Sequence, residues 1–393
     1  MARRSTDRRS SGPCGGPDLA RPFLSELGSV VVPARLDRTN VVAYLVDRGL
    51  MDRCLAARGR VQVADMSRRN TVLAVARERA PDYVVKQRRD RGDPGVAREA
   101  DVLCALRAET DLGHVLPVIV DYDERDNVLV LESPPGQREL GTHHARGRFS
   151  AALACAAGRA LASVHRLAPD AVGPRPDGLD PTWPLSWHRP QLTRLFELSA
   201  AGIALLRMAQ GSHALCEELD EMRESWRTEA VVHGDARWDN WIALPAAPGR
   251  SRDRLLLLDW ELAGPGDPCL DVGAFFAEYL QAWVGSIPIV DSRDPGLMSH
   301  LASRPLDRMQ PAIREFWRAY VTASGEHAKH RPLVRAVRFA GVRLLQAAVE
   351  RADRASELRA RTVAVMQLGL NVLQRPADAA GRLLGLPVPA GAL

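Results

Sequence analysis

The chain has 393 residues, of which 46% are hydrophobic and 26% are charged, and its formal net charge is +5 at pH 7. This apolar fraction excludes a chain that is disordered throughout and is sufficient for two or more packed lobes. No stretch approaches the roughly 20 apolar residues that a membrane span needs, and the amino terminus lacks an apolar signal segment. The six cysteines have no metal-binding spacing, which favours reduced thiols and a cytoplasmic location. We therefore expect neither a membrane nor a nucleic acid as partner.

The first third of the chain predicts a tail followed by a small sheet. Residues 1–36 are rich in Arg, Gly and Pro, which predicts a flexible tail. Residues 37–135 are predicted to form the first lobe, which begins with a helix after Thr39 and Asn40. The remaining elements are expected to be strands near 60–66, 71–78, 81–87, 114–124 and 127–133, with a helix inserted at 96–109. Five antiparallel strands with one inserted helix would make a small α+β lobe.

Residues 136–393 have a mainly helical pattern. An Ala-rich helix is expected at 150–168, at least two more helices at 191–228, and further helices from Leu270 to about Gln374. Short strands are expected at 231–244 and 254–264. The whole chain thus predicts an α+β fold of two lobes, with a cleft between them.

The chemistry is concentrated in a spaced set of polar residues. The sequence His233-Gly234-Asp235 is followed five residues later by Asn240, and an apolar strand further on ends in Asp259. Phosphoryl transfer needs a carboxylate that accepts the proton of the attacking hydroxyl, and oxygen ligands that hold Mg²⁺ on the nucleotide phosphates. This spacing is typical of a kinase catalytic loop.

A second pair of charged residues lies upstream. Lys86 lies on the third predicted strand, and Glu99 is near the start of the next helix. Such a pair can form the ion pair in which a glutamate orients the lysine that binds phosphate.

The order of these motifs resembles the aminoglycoside phosphotransferase and choline-kinase-like branch of the kinase superfamily, in which Gly-Asp follows the histidine. The matching phrases are LVLESPPG, HGDARWDN, DWE and GDPCLDVG. The resemblance implies a bilobal protein-kinase-like fold, ATP and Mg²⁺ as co-substrates, and transfer of the γ-phosphate to a hydroxyl. It also implies these roles: Asp235 as catalytic base, Asn240 and Asp259 as metal ligands, Lys86 as phosphate clamp, and Glu99 as the partner of Lys86.

The nucleotide-binding side departs from the pattern at two places. The turn Ser67-Arg68-Arg69-Asn70 contains no glycine, so phosphate contacts there are expected from side chains such as Asn70. In the hinge, counting from Glu132 places Pro134 where a backbone N–H would face adenine, and proline has none. Either Ser133 supplies this N–H, or adenine recognition is altered.

Charge on the acceptor side gives a clue to the substrate. Arg237 follows the predicted base by two residues, where its guanidinium could neutralise charge on the transferring phosphate. Residues 281–393 contain 16 Lys+Arg against 9 Asp+Glu, a surplus of +7. Both features disfavour a polycationic aminoglycoside as acceptor.

Other residues of the motifs have structural interpretations. We expect His233 to brace the catalytic loop, and Asp267 and Asp271 to cap the following helix. Glu261 suits either a contact with metal or substrate or a role in fixing the loop.

Three functions remain open on the sequence alone. The chain looks most like the kinases of lanthipeptide-type biosynthesis, which phosphorylate Ser or Thr of a ribosomally made precursor peptide before a separate lyase eliminates the phosphate. This resemblance implies a precursor peptide, with an acidic leader suspected, and a possible lyase as partners. The second function is a kinase of a small molecule, such as a non-aminoglycoside antibiotic, a sugar or an amino-alcohol. The third is a non-catalytic kinase-fold module that binds a peptide.

Overall fold

The computed structural model describes residues 35–59, 61–67, 70–77, 82–89, 93–109, 112–245, 254–288, 301–325 and 333–386. The predicted tail lies outside these residues except for its last two. Leu36 is only 2% exposed, and its N–H donates to Gln87 Oε1 at 2.7 Å. Leu36 therefore packs into the first lobe, while the flexible tail predicted for the preceding residues stays a prediction.

The first lobe is built on a five-stranded antiparallel sheet. Its strands are β1 (Val61–Asp65), β2 (Thr71–Arg77), β3 (Asp82–Gln87), β4 (Ile119–Asp123) and β5 (Val128–Ser133), in the order β1-β2-β3-β5-β4. Its helices are α1 (Val41–Asp47), α2 (Arg53–Ala57) and α3 (Gly95–Arg107). The predicted strands and the inserted helix are confirmed, and α2 is an additional short helix.

The two faces of the sheet pack against different partners. In β5, Val128 and Val130 point into a small apolar cluster with residues of α1 such as Leu45. Leu129 and Leu131 point to the opposite face, because successive side chains of a strand alternate. There they join α3 and the helical lobe in one continuous core.

The second lobe is mainly helical. Its helices are α4 (Leu140–Ala145), α5 (Ala151–Val164), α6 (Leu192–Glu197), α7 (Ala200–Gln210), α8 (His213–Glu224), α9 (Pro268–Ser286), α10 (Leu306–Ser324), α11 (Leu333–Asp353), α12 (Ala360–Gln374) and α13 (Pro376–Arg382). Its short strands are β6 (Arg138–Glu139), β7 (Ala230–Val232), β8 (Trp241–Leu244), β9 (Arg254–Leu257) and β10 (Gly264–Gly266). Among the residues described, no helix has the length and apolar character needed to cross a bilayer.

Two antiparallel strand pairs position the polar motifs. β8 pairs with β9, and β7 pairs with β10. At the end of the first pair the N–H of Leu258 donates to the carbonyl of Asn240 at 2.8 Å. The turn that contains Asn240 therefore lies beside the strand end that carries Asp259, as the sequence predicts.

Contacts between helices of the second lobe support these strand pairs. α5 packs along α10, and the rings of Phe275 in α9 and Phe316 in α10 stack with centroids 4.1 Å apart. α11 lies between α9 and α12 and reaches the catalytic loop through its polar face. This face brings residues distant in sequence next to the motifs.

Candidate active site

A three-residue ion cluster joins the two lobes. Lys86 Nζ donates to both carboxylate oxygens of Glu99, at 2.8 and 2.7 Å, and to Asp259 Oδ1 at 3.0 Å. Burial opposes the charge of the lysine, but the two carboxylates outweigh this and hold the pKa of Lys86 above its ordinary value. Residues from β3, α3 and the end of β9 are therefore brought together, with the lysine fully charged.

The catalytic loop has one position that only glycine fits. Gly234 has a φ of +84°, and a Cβ atom there would lie 2.7 Å from the carbonyl oxygen of Leu262. The N–H groups of His233 and Gly234 donate to the two oxygens of Asp271, at 2.7 and 2.9 Å. A buried carboxylate thus fixes this turn through two backbone hydrogen bonds.

His233 is a structural histidine, and its hydrogen bonds define its protonation. Its Nε2 lies 2.9 Å from the carbonyl oxygen of Leu258, and its Nδ1 lies 3.2 Å from the backbone N of Asp235. Because the carbonyl can only accept and the N–H can only donate, the proton is on Nε2. The ring therefore braces the loop, as expected.

The two aspartates after the DWE motif have different roles. Asp267 caps α9 by accepting from the N–H of Cys269, and it also accepts from Arg335 Nε at 2.7 Å. The cap predicted at Asp271 is wrong, because Asp271 lies inside α9 and faces the catalytic loop. Its Oδ2 also lies 3.0 Å from Nε2 of His165. Burial raises the pKa of Asp271, but its partners, His165 first among them, outweigh this and lower it.

Asp235, the predicted base, is held by three donors. Its Oδ2 accepts from Arg237 Nε at 2.9 Å and from Asn240 Nδ2 at 3.1 Å, and its Oδ1 accepts from Arg343 Nη2 at 2.9 Å. Burial raises the pKa of Asp235, but Arg237 and Arg343 outweigh this effect, so the pKa lies below its usual value. The group is therefore an ionised carboxylate, able to accept a proton.

Arg237 lies against the base and against the opposite wall of the cleft. Besides Asp235, it contacts Glu350 Oε2 of α11 at 3.2 Å through its Nη1. The role expected for Arg237 at the transferring phosphate stays a prediction, since both of its carboxylate partners are protein groups.

The oxygens of Asn240 and Asp259 suit a hard divalent cation. Asn240 Nδ2 donates to the backbone and side chain of Asp235, which leaves its Oδ1 as an acceptor. Asp259 has a φ of +68°, and its side chain is 43% exposed. Among the described residues no group of three or more His, Cys, Asp and Glu side chains could hold a metal. This donor set fits Mg²⁺, which is usually held by one or two carboxylates together with substrate phosphates and water.

Glu261 is placed against the first lobe. A Cβ atom at Gly95, the first residue of α3, would lie 2.2 Å from Glu261 Oε2. A carboxylate near a helix N-terminus is favourable. The loop-fixing interpretation of Glu261 therefore fits its position beside the helix that carries Glu99.

The residues predicted for nucleotide binding lie around the sheet. Asn70 directly precedes β2, in which Val72 pairs with Lys86. In the hinge the N–H of Glu132 donates to the carbonyl of Val118 at 2.8 Å, and Ser133 Oγ accepts from Gln137 Nε2 at 2.6 Å. Among the described residues no hydrogen bond joins these three positions to the catalytic loop, and their contacts with a nucleotide stay predictions.

A cavity of about 420 Å³ opens beside the base. Its charged lining comes from five arginines and three acidic residues, namely Arg237, Arg304, Arg343, Arg351, Arg354, Asp239, Glu278 and Glu350. Burial raises the pKa of Glu278 to about 7, although Arg343 and Arg237 oppose this. At neutral pH the cavity therefore has an excess of positive charge.

One wall of the cavity is aromatic. His144 packs edge-on to Trp238 with ring centroids 4.2 Å apart, and both residues line the cavity. Both ring nitrogens of His144 are buried and have no hydrogen-bond partner among the described residues, and burial lowers its pKa to about 3. The ring is therefore neutral and packs as an apolar group.

Three residues of the site, Arg343, Glu278 and Glu350, belong to none of the sequence motifs. Arg343 is 108 residues from the aspartate that it contacts, and no motif surrounds it. The available signal was helical spacing, since Arg343 and Glu350 are seven residues apart and share a face of α11.

A family model described as the phosphotransferase enzyme family matches residues 61–292, which is more than half of the chain. A search of curated proteins finds no match.

Several solved structures are similar to the chain. A choline kinase from Cryptosporidium parvum Iowa II has a TM-score of 0.52 at 12% identity, covering 89% of this chain and 99% of that one. A choline/ethanolamine kinase family protein from Mesorhizobium loti has a TM-score of 0.47 at 17% identity, covering 80% and 88%. The macrolide 2'-phosphotransferase MphH from Brachybacterium faecium has a TM-score of 0.45 at 16% identity, covering 84% and 97%. At 12% identity the first of these shows the fold alone, and it confirms the predicted protein-kinase-like architecture.

Proposed function

Because this chain belongs to the phosphotransferase enzyme family, and is thus a kinase of hydroxyl groups, we propose that its acceptor is a Ser or Thr hydroxyl of a ribosomally made precursor peptide. ATP is the phosphoryl donor in this proposal. The phosphorylated residue would then be dehydrated by a separate lyase.

The observation that carries the proposal is the charge of the cavity beside Asp235. Five arginines face three acidic residues there, and the pKa of Glu278 is near 7. A polycationic aminoglycoside would meet this positive excess unfavourably, whereas an acidic peptide would be attracted to it. Charge therefore favours an anionic acceptor.

The residues of the site can carry out the transfer as follows. Within the described part of the chain, Asp235 Oδ1 accepts one hydrogen bond, from Arg343, so a second lone pair can accept a hydroxyl donor. As the hydroxyl oxygen forms its bond to the γ-phosphorus, the bond between that phosphorus and the β–γ bridging oxygen breaks, and the hydroxyl proton passes to Asp235. Lys86, whose pKa is held high by its two carboxylate partners, would bind phosphate oxygens. Mg²⁺ held by Asn240 and Asp259 would neutralise charge on the phosphates.

The size of the cavity favours a second candidate, a kinase of a neutral or anionic small molecule. About 420 Å³ falls within the range of small-molecule sites. The third function, a non-catalytic module, is set aside because the chain belongs to an enzyme family.

Mass spectrometry can test the proposal. The protein is incubated with ATP, Mg²⁺ and two acceptor panels, one of Ser/Thr peptides with an acidic leader and one of macrolides, sugars and amino-alcohols. We expect a mass gain of roughly 80 Da on a peptide, the mass of an added phosphoryl group.

A matched pair of variants serves as control. Asp235→Asn should lower the rate by about 10²- to 10⁴-fold, because it removes the base without changing the shape of the side chain. Asp307→Asn makes the same change on the exposed first turn of α10 and should leave the rate unchanged. Phosphorylation of small molecules only would overturn the peptide proposal in favour of the second candidate.

A further inference from the structure

One face of α11 lines the cavity and leads away from the catalytic base. Arg343, Ala347, Glu350 and Arg351 line the cavity, and Arg354 follows directly after the helix ends. Their spacing of three or four residues places them on the same side of the helix. The inner end of this row is fixed, because Arg343 donates to Asp235.

The outer arginines of the cavity differ from the inner ones in their partners. Arg237 and Arg343 contact carboxylates, as described above. Among the described residues, Arg351 donates to the amide oxygen of Gln281 at 2.9 Å, Arg304 donates to the carbonyl of Ala145 at 3.0 Å, and Arg354 has no hydrogen bond. None of the three has an ion pair with a described carboxylate.

Other arginines in this part of the molecule do form ion pairs with carboxylates. On the same helix, Arg338 contacts Glu218 and Glu221, at 2.8 and 2.9 Å, and Arg335 contacts Asp267. Three arginines from two segments of the chain instead converge on one cavity without an ion pair to a described carboxylate. Partial burial lowers the pKa of Arg351, although the charges of Glu278 and Glu350 oppose this.

The helix sets the distance from the base to this outer group. At a rise of 1.5 Å per residue, Arg351 lies about 12 Å and Arg354 about 16 Å beyond Arg343 along the axis. An extended peptide advances about 3.3 Å per residue, so this distance corresponds to about four or five residues.

We propose that Arg304, Arg351 and Arg354 form a subsite for an anionic side chain of the acceptor peptide, about four or five residues from the Ser or Thr that is phosphorylated. This inference rests on the proposed function and adds a sequence preference to it. A carboxylate and the phosphate of a residue modified earlier have the same relevant chemistry, since a guanidinium binds both in a bidentate manner.

The test uses synthetic peptides of Ala, Gln and Gly with a single serine. One Glu is placed at each position on either side of the serine in turn, and kcat/KM is compared with that of the peptide carrying Gln there. We expect the Glu-to-Gln ratio to reach about tenfold four or five residues from the serine on one side, which corresponds to one desolvated ion pair of about 1.4 kcal/mol. Peptides with phosphoserine in that place show whether phosphate or carboxylate is preferred.

Variants of the protein connect this preference to the subsite. Arg351→Gln combined with Arg354→Gln should bring the Glu-to-Gln ratio close to one. Arg338→Gln, on the same helix but outside the cavity, should leave the ratio unchanged. Thermal unfolding of each variant verifies that it is folded.

The possible failures can be told apart. Equal rates for Glu and Gln peptides at all positions would overturn the subsite and leave the peptide kinase intact. A preference that persists in the double variant would also overturn it. If only small molecules are phosphorylated, the proposed function and the subsite both fall.

Discussion

The carboxylate of Asp235 accepts hydrogen bonds on both oxygens, from Arg237 of its own loop and from Arg343 of α11. The two guanidiniums act on the pKa of the base in the same direction, against burial. Arg343 acts through the base, because its guanidinium donates to Asp235 Oδ1. It is a positioning residue, and it sets both the orientation and the ionisation of the base.

Replacing Arg343 should therefore change the pH dependence of the reaction. Arg343→Gln removes one of the two positive charges that oppose the effect of burial, so the pKa of Asp235 rises. Because the base must be ionised, the acid limb of the kcat/KM profile should move to higher pH, by about one unit. The measurement is kcat/KM against pH for the native protein, Arg343→Gln and Arg343→Lys, which keeps the charge and should restore part of the shift.

A purely structural role predicts a different result. In that case Arg343→Gln would lower the rate equally at every pH, and the position of the acid limb would not change. Arg338→Gln serves as the reference, because this arginine lies on the same helix and pairs with Glu218 and Glu221 instead.

The sequence predicts those residues of the site that belong to short motifs with a recognisable spacing. The structure joins Lys86 to Glu99 and Asp259, and it joins Asn240 to Asp235. Arg343 could not be selected, because Arg335, Arg338 and Arg343 all lie in one amphipathic helix and look alike in sequence. Only packing decides which of the three meets the base.

At the scale of elements, close helix approaches depend on single glycines. Gly273 of α9 faces α11, and a Cβ atom there would lie 2.5 Å from Phe339 Cβ and 2.7 Å from the carbonyl oxygen of Ala336. Backbone atoms of α11 thus block a larger side chain. Since α9 carries Asp271 and α11 carries Arg343, this crossing also aligns the two elements that hold the catalytic loop.

Gly273→Ala should destabilise the protein by about 1 to 3 kcal/mol, because one extra methyl group forces two packed helices apart. The measurement is the midpoint of urea unfolding. Gly381→Ala is the matched control: this glycine lies in α13 with nothing within 4 Å of a Cβ atom. There the better helix propensity of alanine should add about 0.5 to 1 kcal/mol. Equal stability of the native protein and Gly273→Ala would contradict the crossing described above.

Elements were predicted best where their pattern is long. The sequence predicts the helix around Leu270 but not its crossing with α11 at Gly273. The periodicity of apolar residues identifies the buried face of a helix, but it does not identify the element that packs against that face. The five-residue helix α2 was missed because it is too short for a periodic pattern. It forms because Asp52 accepts hydrogen bonds from the N–H groups of Cys54 and Leu55.

For the whole molecule, the structure changes the meaning of the charge surplus. The +7 of residues 281–393 is partly neutralised by acids outside that segment, because Arg335 contacts Asp267, Arg338 contacts Glu218 and Arg343 contacts Asp235. The outer arginines of the cavity, Arg304, Arg351 and Arg354, have no ion pair with a described carboxylate. The charge surplus of this segment therefore has the same sign as the charge of the cavity. The structure shows where part of that surplus lies.

The two lobes also share their core. Val96, Leu103 and Leu106 of α3 belong to the same apolar cluster as the helices of the second lobe. The guanidinium of Arg98 in α3 also donates to the carbonyls of Gly173 and Ala263, both at 2.9 Å. Because so much of the first lobe's apolar surface is buried against the second, we expect the lobes to unfold together.

Tryptophan fluorescence provides a selective reporter for this expectation, because all eight tryptophans lie between residues 183 and 317, in the helical lobe. Leu103→Ala removes a fully buried side chain from the first lobe and should cost about 2 to 5 kcal/mol. If unfolding is cooperative, the fluorescence midpoint in urea falls by the same amount as the far-UV circular dichroism midpoint. Leu192→Ala, at a side chain that is 73% exposed, should move neither. An unchanged fluorescence transition with an earlier separate step in circular dichroism would show instead that the first lobe unfolds by itself.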